Sequence, residues 1–320
     1  MEQADTAALA AALRGGDRAA LAAGLNLLDD ARPDARKRAG ALLQSLATRP
    51  AADSHLVGIT GPPGVGKSTL TAALIRHWRE RDLTVAVLAV DPSSPLSGGA
   101  LLGDRLRMKT HEDDAGVFIR SLSSRGEFGG LSAEVWPMSQ LMLAAADIVV
   151  VETVGVGQRE VDVAHTCDTT CFVAQPGSGD SIQFLKAGVL EVPHILVVNK
   201  ADMGDVASRT LAELAGAVSR DHPDGDWVVP VLSTSATEGT GIAELAGALR
   251  DHHRALLAGE HLHSGRRRHQ AHWTLRRLEQ EFGRAGLARL GGEEELLAAL
   301  CASGDNPYSQ YDHYRRLLGA

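Results

Sequence analysis

The sequence predicts an α/β fold: a doubly wound, mostly parallel sheet with helical extensions at its N- and C-terminal ends. Three observations carry that expectation. From residue 54 onward, seven short apolar runs (56–60, 85–90, 117–120, 148–151, 170–174, 194–198 and 228–232) alternate with helical stretches. The runs are rich in Val and Ile and nearly continuous, as strands covered on both faces are. Residues with special chemistry, Gly61, Asp91, Glu152, Asn199 and Ser235, each follow a run, and sheets of this kind bind ligands at the carboxyl ends of their strands. The expected division is 1–53 as an N-terminal helical extension, 54–250 as the sheet domain and 251–320 as a C-terminal helical arm.

In chain order, the first segment reads as helices. Asp17 is a suitable N-cap, and Leu21, Leu25 and Leu28 recur at helical spacing. Residues 29–34 break the pattern, and a further helix carries Leu42, Leu43 and Leu46. The first strand then runs into Gly61-Pro62-Pro63-Gly64-Val65-Gly66-Lys67-Ser68, which meets the pattern G-x-x-x-x-G-K-[ST] at every fixed position. Helix-forming residues follow from Thr69. Strand, glycine loop and helix together are the context in which backbone N–H groups converge on phosphate oxygens. Lys67 is expected to reach the β- and γ-phosphates and Ser68 to ligate Mg²⁺; nucleotide contacts are expected from Gly61 to Thr69.

Which base is bound is read from Asn199-Lys200-Ala201-Asp202, at the end of the run 194–198. The Asp202 carboxylate can accept two hydrogen bonds from the N1–H and 2-amino groups of guanine, which adenine lacks in that geometry. Leaving a buried carboxylate unmet is costly, so GTP is expected over ATP. Asn199 can bridge to neighbouring loops, and the Lys200 stem can lie over the purine. Ser235-Ala236-Thr237 supplies a second base loop whose N–H groups would meet guanine O6.

For the metal, Asp91 and Glu152 follow the second and fourth runs, and Asp104 stands in a glycine-flanked charged loop. Carboxylates there can reach Mg²⁺ directly or through water. Glu152-Thr153-Val154-Gly155 reads as a D-x-x-G switch with Glu for Asp, in which the Gly155 N–H can sense the γ-phosphate. Val156 occupies the position after the switch glycine, where small GTPases place a water-orienting glutamine. Gln158 lies two residues further on. The expected catalytic set is Lys67, Glu152 and Gln158, with slow intrinsic turnover.

Composition bounds the rest. The chain has 320 residues, 44% hydrophobic and 22% charged, with a net charge of −8. The absence of a global basic field argues against nucleic-acid binding; Arg266, Arg267 and Arg268 read as a solvated helix face. Cys167, Cys171 and Cys301 form no tetrahedral ligand set, so Cys167 and Cys171 are expected to be buried thiols. His252, His253, His261 and His263 suggest adventitious chelation at most. No apolar stretch has membrane-spanning length, and the acidic start lacks the basic region of a targeting peptide. A cytoplasmic placement is expected.

Together these residues resemble the MeaB/ArgK family of P-loop GTPases, of the SIMIBI type. The resemblance rests on Gly16-Asp17-Arg18, residues 58–68, Asp91-Pro92-Ser93-Ser94-Pro95, Gly103-Asp104-Arg105, Glu152-Thr153-Val154-Gly155-Val156-Gly157-Gln158 and Asn199-Lys200-Ala201-Asp202. Bacterial members once carried the label of arginine/ornithine transport ATPases. The resemblance implies a chaperone of an adenosylcobalamin-dependent acyl-CoA mutase, methylmalonyl-CoA mutase by default, using GTP, GDP and Mg²⁺. It implies a third switch at residues 176–186, with Asp180, Gln183 and Lys186 as signalling candidates, and a C-terminal arm that makes a homodimer. The competing expectation is a metal-insertion or transport-linked GTPase.

Overall fold

The computed structural model describes residues 2–30, 32–47, 54–91, 114–123, 133–153, 159–177, 193–218, 227–259 and 261–319. The strands are β1 (His55–Thr60), β2 (Val85–Asp91), β3 (Val117–Ser123), β4 (Ile148–Thr153), β5 (Thr169–Ala174), β6 (Ile195–Val198) and β7 (Val231–Ser233). The described helices are α1 (Glu2–Arg14), α2 (Arg18–Asp29), α3 (Pro33–Ala47), α4 (Lys67–Arg79), α5 (Val135–Leu143), α6 (Arg159–Ala164), α7 (Asp205–Ala217), α8 (Ile242–Ala258), α9 (His261–Arg289), α10 (Glu293–Ala302) and α11 (Pro307–Leu317). None is long and apolar enough to cross a membrane. Two compact units result: residues 55–132 with 146–262, and residues 1–54 with 133–145 and 263–320.

The first unit is built on a seven-stranded sheet in the order β3-β2-β4-β1-β5-β6-β7. Every neighbouring pair is parallel, so the expected mostly parallel sheet is wholly parallel among the described residues. Alternate side chains sort onto two faces, as the two-residue strand period requires. Val57, Ile59, Val87, Val150, Val173 and Val197 pack with Leu70, Leu74 and Trp78 of α4 and Leu245 and Leu249 of α8. Phe172, Ala174, Leu196 and Val198 pack on the other face with Ala207 and Leu214 of α7. β1 lies in the middle, between β4 and β5, which puts its glycine loop at the crevice such sheets use for ligands.

Strand limits differ from the apolar runs where ladder pairing, not side-chain polarity, decides them. β3 continues to Ser123 because Ser121, Leu122 and Ser123 pair with Ala89, Val90 and Asp91. β7 starts only at Val231: Pro230 has no N–H to give, and its carbonyl accepts from Leu196 N at 3.0 Å.

The amino ends of the strands enclose a polar cluster. Thr169 Oγ1 lies 2.6 Å from His55 Nε2 and 2.7 Å from His252 Nδ1. His194 Nδ1 accepts from Thr170 N at 2.9 Å, and Trp227 Nε1 donates to His194 O at 2.8 Å. The His55 and His253 rings stack at 4.4 Å, and His194 and His252 lie 4.2 Å apart. All four histidines are buried, whereas His261 and His263 are exposed on α9. Cys167 and Cys171 are buried thiols as expected. Burial pushes the Cys171 thiol up to about 12 and holds Cys167 well above its ordinary value, with Asp168 adding to the latter.

The second unit is helical. Asp17 caps α2, accepting from Ala20 N at 2.9 Å. Leu141 of α5 fills the space over Gly24 of α2: a Cβ there would come within 2.9 Å of it. Trp273 Nε1 of α9 donates to Ala133 O at 2.5 Å, and its ring lies 5.8 Å from Trp136 of α5 and 5.3 Å from Tyr308 of α11. Ala271, Leu275, Leu278, Leu287, Leu296, Leu300 and Tyr311 form the core of the C-terminal helices. α9 is broken at Gly283, where φ is 65°.

Candidate functional site

The loop from β1 to α4 is shaped by its glycines. Gly61, Gly64 and Gly66 have φ of 142°, 79° and 92°, values that side-chain-bearing residues rarely adopt. Two of them are also pressed against neighbouring segments. A Cβ on Gly61 would lie 2.1 Å from Val173 O of β5, and one on Gly66 would lie 2.6 Å from Asn199 Nδ2. Val65, fully buried, anchors the loop from below. Gly66 is the N-cap of α4 and has no side chain to cap it. The first N–H groups of a helix have no partner within it, so this end can receive an anion.

Lys67 and Ser68 open the helix. Lys67 Nζ donates to Gly61 O at 2.8 Å and Pro62 O at 2.9 Å, folding the lysine over its own loop. Ser68 Oγ donates to Glu152 Oε1 at 2.5 Å. Both residues are buried, and Glu152, near the end of β4, is only 2% exposed. A hydroxyl and a carboxylate at this distance are hard oxygen donors of the kind Mg²⁺ takes. One residue further on, Thr153 Oγ1 donates to Thr60 Oγ1 at 3.0 Å, tying β4 to the start of the glycine loop. Thr69 is half-buried in the first turn of α4.

A second group of loops stands beside the first. Asn199 follows β6; its Nδ2 donates to Val65 O at 2.9 Å, and its Oδ1 accepts from Ala236 N and Thr234 Oγ1, both at 3.2 Å. One buried amide thus joins three loops. Lys200 has φ 62°, a left-handed conformation unusual for a residue with a side chain. Its Nζ donates to Gly64 O at 2.7 Å and Gln175 Oε1 at 2.9 Å. Asp202 is exposed, not the buried carboxylate expected above, and its Oδ1 accepts from Ser235 Oγ at 2.7 Å. Ser235 Oγ lies 3.2 Å from Thr237 Oγ1, and the loop closes through Ser235 N to Thr240 O at 3.0 Å.

The structure therefore brings together Gly61, Pro62, Pro63, Gly64, Val65, Gly66, Lys67, Ser68 and Glu152 with Asn199, Lys200, Asp202, Ser235, Ala236 and Thr237. The arrangement can hold an anionic chain at one end and a flat, hydrogen-bonding ring at the other. The Asp91 backbone closes β2 opposite Ser123, but its side chain lies outside what is described. So do Asp104, Gly155, Val156 and Gln158, and Asp180, Gln183 and Lys186. Sequence reasoning missed Gln175 and the Thr60–Thr153 pair. Gln175 does follow an apolar run directly, the same positional signal that marks Glu152 and Asn199.

A family model described as methylmalonyl-CoA mutase-associated GTPase MeaB matches residues 21–285. A putative GTPase of Pyrococcus horikoshii is 42% identical over 272 residues, covering 81% of this chain and 83% of the relative. The GTPase ArgK of Escherichia coli is 38% identical over 277 residues, covering 84% and 82%. The mitochondrial methylmalonic aciduria type A homolog of Caenorhabditis elegans is 36% identical over 252 residues, 74% of this chain and 63% of that one. Among solved structures, an LAO/AO transport system kinase has a TM-score of 0.68 and 27% identity, covering 99% of this chain and 98% of the other.

Proposed function

The chain belongs to the MeaB family of methylmalonyl-CoA mutase-associated GTPases, and from that premise we propose that its GTP hydrolysis serves an adenosylcobalamin-dependent acyl-CoA mutase in the cytoplasm. In this reading the protein gates cofactor loading and protects or reactivates the mutase. That it is a GTP hydrolase follows from the family and from relatives named as GTPases. One observation carries the assignment of the site: the phosphate loop and the guanine-reading residues are hydrogen-bonded to one another through Asn199 and Lys200.

Lys67, Ser68, Glu152 and Asp202 then have roles that the geometry supports. Lys67 leaves the carbonyls of Gly61 and Pro62 for the β- and γ-phosphates, exchanging two neutral acceptors for charged ones. Asp202, held by Ser235, accepts from the guanine N1–H and 2-amino groups. Ser68 and Glu152 would hold Mg²⁺, with Asp91 and Asp104 as further candidates; the ion would supply neutralisation of phosphate charge. Gly155 would sense the γ-phosphate, and Gln158 is the candidate for orienting water. Dimerisation through the C-terminal arm belongs to the same proposal and rests on the resemblance alone.

Val156 at the position of a water-orienting glutamine supports slow turnover by the lone protein. Positioning and charge neutralisation remain, without full alignment of the nucleophile. A partner that orders the switch segments can supply that alignment. Steady-state GTP hydrolysis at saturating GTP, with and without methylmalonyl-CoA mutase, tests this. Acceleration is expected, modest if residues already present are ordered and on the order of 10³-fold or more if the partner inserts an arginine. Fast hydrolysis by the lone protein, unaffected by any mutase, would contradict the proposal.

A further inference from the structure

The contact between Gln175 and Lys200 has no place in the roles set out above. Gln175 is the first residue after β5, and its position is dictated by the sheet. Ala174 pairs with Val198, and Asn199 N donates to Ala174 O at 2.9 Å. The parallel ladder therefore sets Gln175 beside Asn199 and Lys200 before any side chain is considered. Two further contacts hold this stretch: Pro176 is buried, and Gly177 N lies 3.5 Å from Thr210 Oγ1 of α7.

Lys200 needs such support. An ammonium on a four-carbon stem is a mobile point charge, and the left-handed backbone of Lys200 persists only where its surroundings fix it. Its Nζ has three protons to donate. One goes to Gly64 O in the phosphate loop and one to Gln175 Oε1, at 2.7 and 2.9 Å. Gly64 lies in an exposed part of the loop, so its bond to the ammonium competes with water. The half-buried Gln175 amide supplies a second acceptor from a rigid strand end.

We propose that Gln175 is a positioning residue for nucleotide binding, holding the Lys200 ammonium on the Gly64 carbonyl so that the lysine stem is laid out as one wall of the purine pocket. Gln175 touches no ligand in this account and acts through Lys200. The proposal rests on the reading of the site as a guanine-nucleotide site, and the wild-type measurement separates the two.

The test is nucleotide affinity in a double-mutant cycle on the full chain. Gln175→Leu keeps the bulk and removes the acceptor. It is expected to raise the dissociation constants for GTP and GDP about tenfold, the lower end for a hydrogen bond to a charged group, since the pair is half-buried. KM for GTP should rise by the same factor, with a smaller change in kcat. Gln175→Glu keeps an oxygen acceptor and is expected to bind within about threefold of wild type. In a Lys200→Ala background, Gln175→Leu should change affinity less than about twofold, because the group it acts through is gone. If Gln175→Leu does not fold, Gln175→Ser, too short to reach Nζ, takes its place. Wild-type affinity in Gln175→Leu, or an equal loss with and without Lys200, would overturn the proposal. A wild-type protein that binds no guanine nucleotide would instead overturn the reading of the site.

Discussion

At the carboxyl ends of the strands, polar side chains bond to backbone carbonyls of loops. Lys67 lies on Gly61 and Pro62, Lys200 on Gly64, and Asn199 on Val65. At the amino ends of the same strands, Thr169 lies between His55 and His252, and imidazole rings stack around them. The carboxyl end also holds exposed residues such as Asp202, whereas Thr169 and the four histidines at the amino end are buried. A lysine resting on neutral carbonyls can exchange them for phosphate at small cost. A buried hydroxyl between two imidazoles has no equivalent replacement, and losing it removes this partner from both. On the proposed reading, one end of the sheet serves a ligand and the other stability, although the apolar strands between them look alike.

The largest expected effect is at the carboxyl end. Lys67→Ala should lower GTP turnover on the order of 10³-fold or more, with the fold retained, because the space the lysine leaves can admit water to Gly61 O and Pro62 O. Wild-type turnover in the purified variant would break the contrast from that side. At the amino end, Thr169→Val should cost about 2–4 kcal/mol of stability by leaving two buried ring nitrogens without this partner. GTP affinity should stay within about twofold of wild type. Urea unfolding and nucleotide titration on the same preparation check both halves; a large loss of affinity with unchanged stability would show that the two ends are not separate in function.

Much of the carboxyl end was legible from the sequence because its chemistry is local. Glycines that need positive φ, a lysine and serine at a helix start, and Asn199 and Asp202 after a strand are all short-range patterns. The amino-end cluster was not legible. His55 and His194 stand singly at strand starts, and His252 and His253 suggested a group with His261 and His263 that the fold does not make. Nor does the sequence indicate that residues 133–145 join the helical unit. α5 is almost wholly buried, Ser139 included, and an apolar segment carries no local sign of which neighbour buries it. Gln175 was passed over because an amide after a strand has meaning only once Lys200 is seen beside it.

The most direct test is the nucleotide preference of Asp202→Asn. In the wild type, the carboxylate held by Ser235 is expected to read the two donors on the Watson–Crick edge of guanine. An amide can donate where xanthine presents a carbonyl. The variant is expected to lose about 10²-fold or more in GTP affinity and to gain affinity for xanthosine triphosphate, measured by titration of both nucleotides against both proteins. Unchanged GTP affinity with no gain for the xanthine nucleotide would contradict it.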